Sequence, residues 1–402
     1  MSAPTILGQA VLCYAPFIDR KRAVTATRLS VIPLRPDVAL DAGQLLEVVA
    51  QIWPADGGKV SLNVVSEALL ADLLRLQPPA NVMVEVPSFM AGDASHLQAL
   101  LALRANGNVL LLKGRPAEEL PRDAMPCFTY SIVNSAEDGR LYETVGRSAE
   151  ATAWGLPMVQ SGVRTMMEMN ACFSRGATAV MGWPIDDVVA KHQGASKSSV
   201  KVDMQTIVEL IHRVDEEEPV NRLEQTLRRD PTLAFKLLRF INSPAFGLRV
   251  EIASFSHAIM ILGHRRLKRW LALLLATATK DASMKPVMFA AVRRGLLLEE
   301  FARTFGDEEM RNEMFICGVF SLLDRMFNQP FDELLTTLPV PEHVAQALVS
   351  GSGPHVPYLE LARAVEAESS FDVRAAAEKL MLSIDEVNRA LTHALAAAAQ
   401  LD

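Results

Sequence analysis

Residues 228–247 read RRDPTLAFKLLRFINSPAFG, and the helical reading of the second half of the chain starts from them. Asp230 followed by Pro231 supplies an N-cap and a first-turn proline, and Leu233, Leu237, Phe240 and Ile241 then fall on one apolar stripe. The predicted helix stops at Asn242-Ser243-Pro244, where proline cannot continue it. Working outward, the helical period recurs at Val202–Val214, Pro219–Arg229, Ser254–Leu262, Arg265–Thr279, Pro286–Thr304, Glu308–Phe327, Pro341–Ser350, Tyr358–Ala367 and Ile384–Ala399. The last window opens with Ser383-Ile384-Asp385-Glu386, the spacing of a capping box. The second half is therefore expected to be all-α.

Upstream, the period changes. Residues 191–200 (KHQGASKSSV) are small, polar and basic, which is the composition of a flexible linker, and the domain boundary is placed there. Before the linker, short β-rich runs alternate with helical windows. The predicted strands are Leu7–Tyr14, Val24–Leu34, Lys59–Val65, Val82–Val86, Asn108–Leu112, Phe128–Val133, Met158–Gly162 and Thr178–Met181. The predicted helices between them are Asp41–Trp53, Glu67–Leu76, Ala94–Asn106 and Thr165–Arg175. Strands alternating with helices imply a parallel sheet and a small or incomplete (β/α) barrel, with the first two strands open to a hairpin reading across Asp19–Lys21. The expected organisation is thus 1–190, a linker at 191–200, and 201–402.

Composition agrees with two folded domains. The chain has 402 residues, half of them hydrophobic, 22% charged and 6% aromatic, with a net charge of −7. Neither half is a polybasic nucleic-acid binder, and no nucleic-acid partner is expected. The longest apolar stretch, Trp270–Thr279, covers about ten residues where a membrane span needs about 20. The N-terminal MSAPTILGQAVLCYAPFIDRKR has no positive residue before its apolar run, unlike a signal peptide, so the expected location is the cytoplasm. Cys13, Cys127, Cys172 and Cys317 lie far apart and read as small core residues.

Motifs for catalysis are missing. None of the eight histidines is followed by Asp, no HExxH occurs, and there is no GxSxG elbow, Walker A loop or GxGxxG after a strand. Gly351-Ser352-Gly353-Pro354 reads as a loop between helices, and the basic run His264–Arg269 as a solvated helix face. Met158, Met166, Met167, Met169 and Met181 read as core filler. Asp215–Glu218 places negative charge at a helix start, which is ordinary surface chemistry.

Three stretches, RRDPTLAFKLLRFINSPAFG (228–247), SFSHAIMILGHRRLKRWLALLL (254–275) and MFICGVFSLLDRMFNQPFDELL (314–335), resemble the HDOD domain. This family is the all-helical relative of HD and HD-GYP phosphohydrolases, and its members lack the metal ligands. Where active HD relatives carry His-Asp after a Gly-Leu-Leu type segment, Gly318-Val319-Phe320 is followed by Ser321-Leu322. The first half resembles, more weakly, an EAL domain, a (β/α) barrel that in active members hydrolyses cyclic di-GMP with divalent cations held mainly by carboxylates. SLNVVSEALL (61–70) is similar to that family's strand with a metal-binding Asn, and VMVEVPSF (82–89) to its Glu strand, so Asn63 and Glu85 are the matching positions. QSGVRTMMEMNACFSRGATAVMGWPI (160–185) resembles the terminal strand, helix and Gln-Gly-Tyr turn.

The departures carry the functional expectation. Leu111, Leu112 and Lys113 stand where the EAL family has Asp-Asp, and Phe128–Val133 lacks the Lys-x-Asp strand. The late Glu positions read Ser161 and Arg164, the final turn reads Met181-Gly182-Trp183, and RLSVIPLR (28–35) lacks the first-strand Glu. The literal Glu67-Ala68-Leu69 follows the Asn63 strand and belongs to a helix. Two oxygen-bearing positions cannot complete a hard-cation shell, so Asn63 and Glu85 read as hydrogen-bonding residues. No catalytic residue, metal ligand or cofactor is assigned, and cofactor-binding residues stay unknown. The expectation is a degenerate, TIM-like EAL barrel followed by an HDOD domain, a non-catalytic bacterial regulator that binds signalling proteins. A cyclic di-GMP receptor without hydrolysis and a residual phosphodiesterase stand as alternatives, and homo-oligomerisation is left open.

Overall fold

The computed structural model describes residues 5–114, 120–145, 155–187, 202–228, 233, 255–277, 282–305, 308–336, 338 and 340–399. The predicted linker 191–200 and all of the predicted Asp230 helix except Leu233 lie outside them. By internal packing the chain divides into two units, Met1–Asp187 together with Glu360–Ala399, and a second one centred on Val188–Leu359.

The first unit is a closed barrel of eight strands in sequential order. They are β1 (Ala10–Asp19), β2 (Val24–Pro33), β3 (Val60–Val64), β4 (Val82–Pro87), β5 (Leu110–Lys113), β6 (Phe128–Asn134), β7 (Met158–Val163) and β8 (Ala179–Gly182). All eight predicted strands form, and the ring closes where the sequence reading allowed an incomplete barrel. β1 and β2 make the hairpin, antiparallel from Ala10↔Pro33 to Ile18↔Val24. Strands β2 to β8 then run parallel, and β8 closes on β1 antiparallel. Gly182 makes the last junction, because at φ +134° a Cβ there would stand 2.2 Å from the Val163 carbonyl oxygen.

Helices α1 (Ala42–Ile52), α2 (Glu67–Leu76), α3 (Leu97–Ala105), α4 (Ser135–Val145) and α5 (Met166–Ser174) belong to this unit. Asp41 caps α1, Ser66 caps α2, and Thr165 with Glu168 forms a capping box on α5. The barrel interior is filled by Phe17, Ala26, Met83, Leu111, Ile132, Val159, Ala179 and Met181. Each large apolar side chain so buried contributes about 1.5–3 kcal/mol. Met158 and Met169 are buried as core filler, whereas Met167 is exposed. Trp183 is core too: its indole N–H donates to the Tyr14 carbonyl at 2.9 Å, and the two rings meet edge to face.

The second unit is helical, built on α6 (Val202–Asp215), α7 (Val220–Arg228), α8 (Phe255–Thr277), α9 (Lys285–Phe301) and α10 (Glu308–Phe320). Gly263 breaks α8 at φ 67°, between the two helices the sequence reading separates. The basic run after it is engaged locally: Lys268 pairs with Asp215, and Arg269 pairs with Glu299 at 2.5 Å while stacking over Phe315. α9 and α10 cross at Gly295 and Gly318, where a Cβ on Gly318 would come within 2.6 Å of the Arg294 carbonyl oxygen.

The chain then continues through α11 (Val356–Glu366), α12 (Ser370–Lys379) and α13 (Ile384–Ala399). The sequence division gives 201–402 to one domain, yet Glu360–Ala399 packs with the barrel. The reason is topological. A hairpin has no crossover helix, so nothing between β1 and β2 covers the outer face of β1. α13 covers it, lying against β1, α1 and the turn Ile6–Gly8. Asn388, fully buried on α13, fastens the contact: its amide donates to the Leu7 and Ala10 carbonyls at 2.6 and 2.7 Å and its oxygen accepts from Leu12 N–H at 3.0 Å.

Candidate functional site

The parallel strands end at the barrel mouth, where a barrel of this class displays its variable chemistry. Alternation brings one polar set there. On β2, β3, β4 and β5 the residues in phase with the apolar interior are Arg28 and Ser30, Ser61 and Asn63, Glu85, and Lys113. The two positions carried over from the EAL resemblance, Asn63 and Glu85, are thus brought to one cluster. Both are buried.

Their partners are organic cations of the same chain. Arg28 grips Glu85 with two parallel bonds, Nε to Oε1 at 2.7 Å and Nη2 to Oε2 at 2.8 Å, and Ser61 Oγ adds a third at 3.3 Å. Lys113 Nζ donates to Asn63 Oδ1 at 2.6 Å, and Asn63 Nδ2 donates to Ser30 Oγ at 2.9 Å. A second carboxylate arrives from far along the chain: Glu368 accepts from Arg28 Nη1 at 2.9 and 3.2 Å and from Ser30 Oγ. Glu368 sits in the turn between α11 and α12 with φ 55°, a left-handed conformation that costs a non-glycine residue about 1 kcal/mol or more.

Burial works against the Arg28 charge, and Glu85 and Glu368 overcome it, so the guanidinium holds its proton above the ordinary arginine range. Lys113 is lowered from the ordinary lysine value, first by burial and then by the Arg28 charge, against the pull of Glu85 and Glu368. Burial, with Glu368 nearby, raises the Cys13 thiol, which makes it inert at neutral pH. The mouth therefore holds two cations and two carboxylates in balance.

A divalent cation does not fit this donor set. Both Glu85 oxygens already accept from Arg28, and Asn63 Oδ1 accepts from Lys113. A metal would have to expel two tethered positive charges, Arg28 and Lys113, to reach these oxygens. The other positions read from the sequence bond to groups outside this cluster. Ser161 Oγ donates to the Val133 carbonyl at 3.4 Å, Arg164 pairs with Asp186 at 2.6 Å, and Glu67 begins α2 behind the Ser66 cap. The sequence reading noted the missing first-strand Glu but did not assign Arg28 a role. Glu368 carries no local signal at all.

The HD-type position in the helical unit is filled in a related way. Ser321, the position that the HDOD resemblance sets against the His of active relatives, is buried, donates to the Gly318 carbonyl at 2.7 Å and accepts from Arg294 Nη1 at 2.8 Å.

Comparison with known proteins matches residues 200–327 to the HDOD domain family. The chain is 30% identical over 168 residues to the uncharacterized protein YuxH of Bacillus subtilis, covering 40% of each chain. It is 27% identical over 173 residues to the cyclic di-GMP phosphodiesterase CdgJ of Vibrio cholerae, covering 43% of this chain and 40% of that one. The matches thus span about two fifths of either relative. Among solved structures, the EAL enzyme Bd1971 in its cAMP-bound form aligns with a TM-score of 0.34 at 14% identity, over 44% of this chain and 62% of that one. The EAL-like domain protein YdiV aligns with a TM-score of 0.34 at 14% identity, over 44% of this chain and 93% of that one. Among the described residues, no helix is long and apolar enough to cross a membrane.

Proposed function

We propose that the chain is a non-catalytic bacterial signalling protein that acts by binding partner proteins through its HDOD domain and its EAL-like barrel. The observation that carries this reading is the saturated mouth, where Arg28 and Lys113 take the oxygens a metal would need. Phosphodiester hydrolysis by a metal barrel needs an activated water and neutralised phosphate charge, and this donor set supplies neither. The rim supports a binding role. Val65 follows β3, Phe89 follows β4, Met167 opens α5 and Phe371 opens α12 next to Glu368, and all four apolar side chains are exposed.

The test uses purified full chain with cyclic di-GMP at saturating Mg²⁺ and Mn²⁺, measuring both hydrolysis and binding heat. Neither is expected. Turnover that disappears in Glu85→Gln would restore the phosphodiesterase reading, and binding without turnover would make the barrel a nucleotide receptor. For the partner role, a photo-crosslinking residue placed at 89 or 371 in cells is expected to form protein adducts. An adduct-free monomer at both positions would remove the rim from the proposal.

A further inference from the structure

The sequence reading assigns no metal ligand in the second half, and the histidines there are scattered. The fold nevertheless gathers two of them around a carboxylate. Glu313 lies on α10, His343 in the short helical turn Glu342–Ala345, and His355 directly before α11. Between the histidines the backbone makes one π-helical turn, Gln346–Ser350, a form enriched at functional sites. Gly351 ends it at φ 59°, and Gly353 follows at φ 92°, a left-handed conformation that favours glycine. This fold-back sets the imidazoles edge to face, with ring centres 5.6 Å apart.

The ligand atoms converge. His355 Nε2 lies 3.1 Å and His343 Nδ1 3.5 Å from the same Glu313 oxygen, and one ligand atom from each residue lies within 4.8 Å of the other two. Ligands of a tetrahedral ion with bonds of 2.0–2.1 Å stand about 3.3 Å from one another, so the cluster needs little movement to close on a cation. His355 is 2% exposed, and its Nδ1 has no hydrogen-bond partner among the described residues. His343 is half-exposed, which leaves the cluster open to solvent on one side.

We infer that Glu313, His343 and His355 form a transition-metal site of the zinc class, with three protein ligands and the fourth position on the solvent side. Two imidazoles and one carboxylate select Zn²⁺ or Co²⁺ over Mg²⁺ and Ca²⁺, which prefer all-oxygen shells. The site is distinct from the Ser321 position, whose hydroxyl is engaged by Arg294 and Gly318.

The test is calorimetric titration of metal-stripped full chain with Zn²⁺, paired with Co²⁺ substitution read by visible absorption. One equivalent per chain and the intense bands of tetrahedral Co²⁺ are expected. His343→Ala, at a half-exposed position, leaves metal-free melting unchanged and weakens Zn²⁺ binding about tenfold or more, as does Glu313→Gln. His212→Ala, on α6, serves as the control and leaves binding intact. Failure of Zn²⁺ to bind, or binding that is the same in wild type and His343→Ala, would overturn the assignment.

Discussion

The barrel mouth and the Glu313–His343–His355 cluster are both gatherings of polar side chains, but they differ in what they lack. The mouth brings its own cations: Arg28 and Lys113 balance Glu85 and Glu368, and the Glu85 and Asn63 oxygens that would ligate are already taken. The helical cluster brings one carboxylate and two imidazoles facing it, donors with no tethered cation between them among the described residues. The difference teaches that a cluster's capacity for metal depends less on how many ligating residues it holds than on whether a tethered cation already occupies them. It also separates long-range from local assembly. Glu368 reaches Arg28 across 340 residues, whereas His343 and His355 meet through one turn and a glycine loop.

The largest expected effect breaks the long-range side of that comparison. Removing residues 360–402 strips α12 and α13 from β1, deletes Glu368 and leaves the Leu7, Ala10 and Leu12 backbone groups without Asn388. The barrel is expected to lose cooperative melting and resist no protease. A truncated chain whose barrel melts as in the full chain would show that the C-terminal helices are an ornament rather than its cover.

Next in size is the Arg28–Glu85 pair. Arg28→Met leaves Glu85 buried without its cation, an arrangement that costs about 3–5 kcal/mol. Arg28→Met with Glu85→Leu replaces the pair by apolar volume and is expected to recover most of that loss in denaturant unfolding. A double variant as unstable as the sum of the singles would mean the two residues act independently, and the saturated-mouth argument would fail with it.

What was legible in the sequence follows from the range of the forces involved. All eight strands were readable, because buried strands are dense in β-branched and aliphatic residues. The break at Gly263 was readable for the same local reason. Helices α4 (SAEDGRLYETV) and α12 (SFDVRAAAEK) were missed, since their sparse apolar residues give no clear stripe. Asn63 and Glu85 were found by motif resemblance, yet their partners were not, because the charge of Arg28 is visible in sequence and its direction is not. Glu368 and the destination of Glu360–Ala399 depend on a bare strand face that exists only after the barrel closes.

Glu368 allows a finer test, since its backbone and its charge pull in opposite senses. Glu368→Gly removes the ion pair with Arg28 but relieves the φ 55° conformation, while Glu368→Gln loses the charge and keeps the strain. Both variants are expected to be less stable than wild type, the Gln variant by about 1 kcal/mol more than the Gly variant. Equal losses in thermal unfolding would mean that the left-handed turn stores no strain.

The smallest effect concerns Lys113 and is read from pH. Its pKa is lowered in the fold, mainly by burial and further by Arg28, so the folded state gives up this proton before the unfolded chain does. The unfolded state then binds more protons over the interval between the two values, and stability due to Lys113 rises with pH there. The penalty is fully present below the folded value and is relieved as pH climbs toward 10.5, the ordinary lysine value. The buried thiols act in the opposite sense. Cys13 and Cys172 are raised by burial, Cys172 to about 11, so they keep protons that the unfolded chain loses, and their contribution falls with pH. Wild type alone mixes the two. The difference between wild type and Lys113→Met isolates the lysine, because the thiols are common to both. Denaturant unfolding between about pH 8 and 10.5 is expected to show the wild type gaining on the variant as pH rises. Parallel curves would mean that Lys113 is no more desolvated than a surface lysine, and the mouth would then be wetter and more open to a ligand than its hydrogen bonds imply.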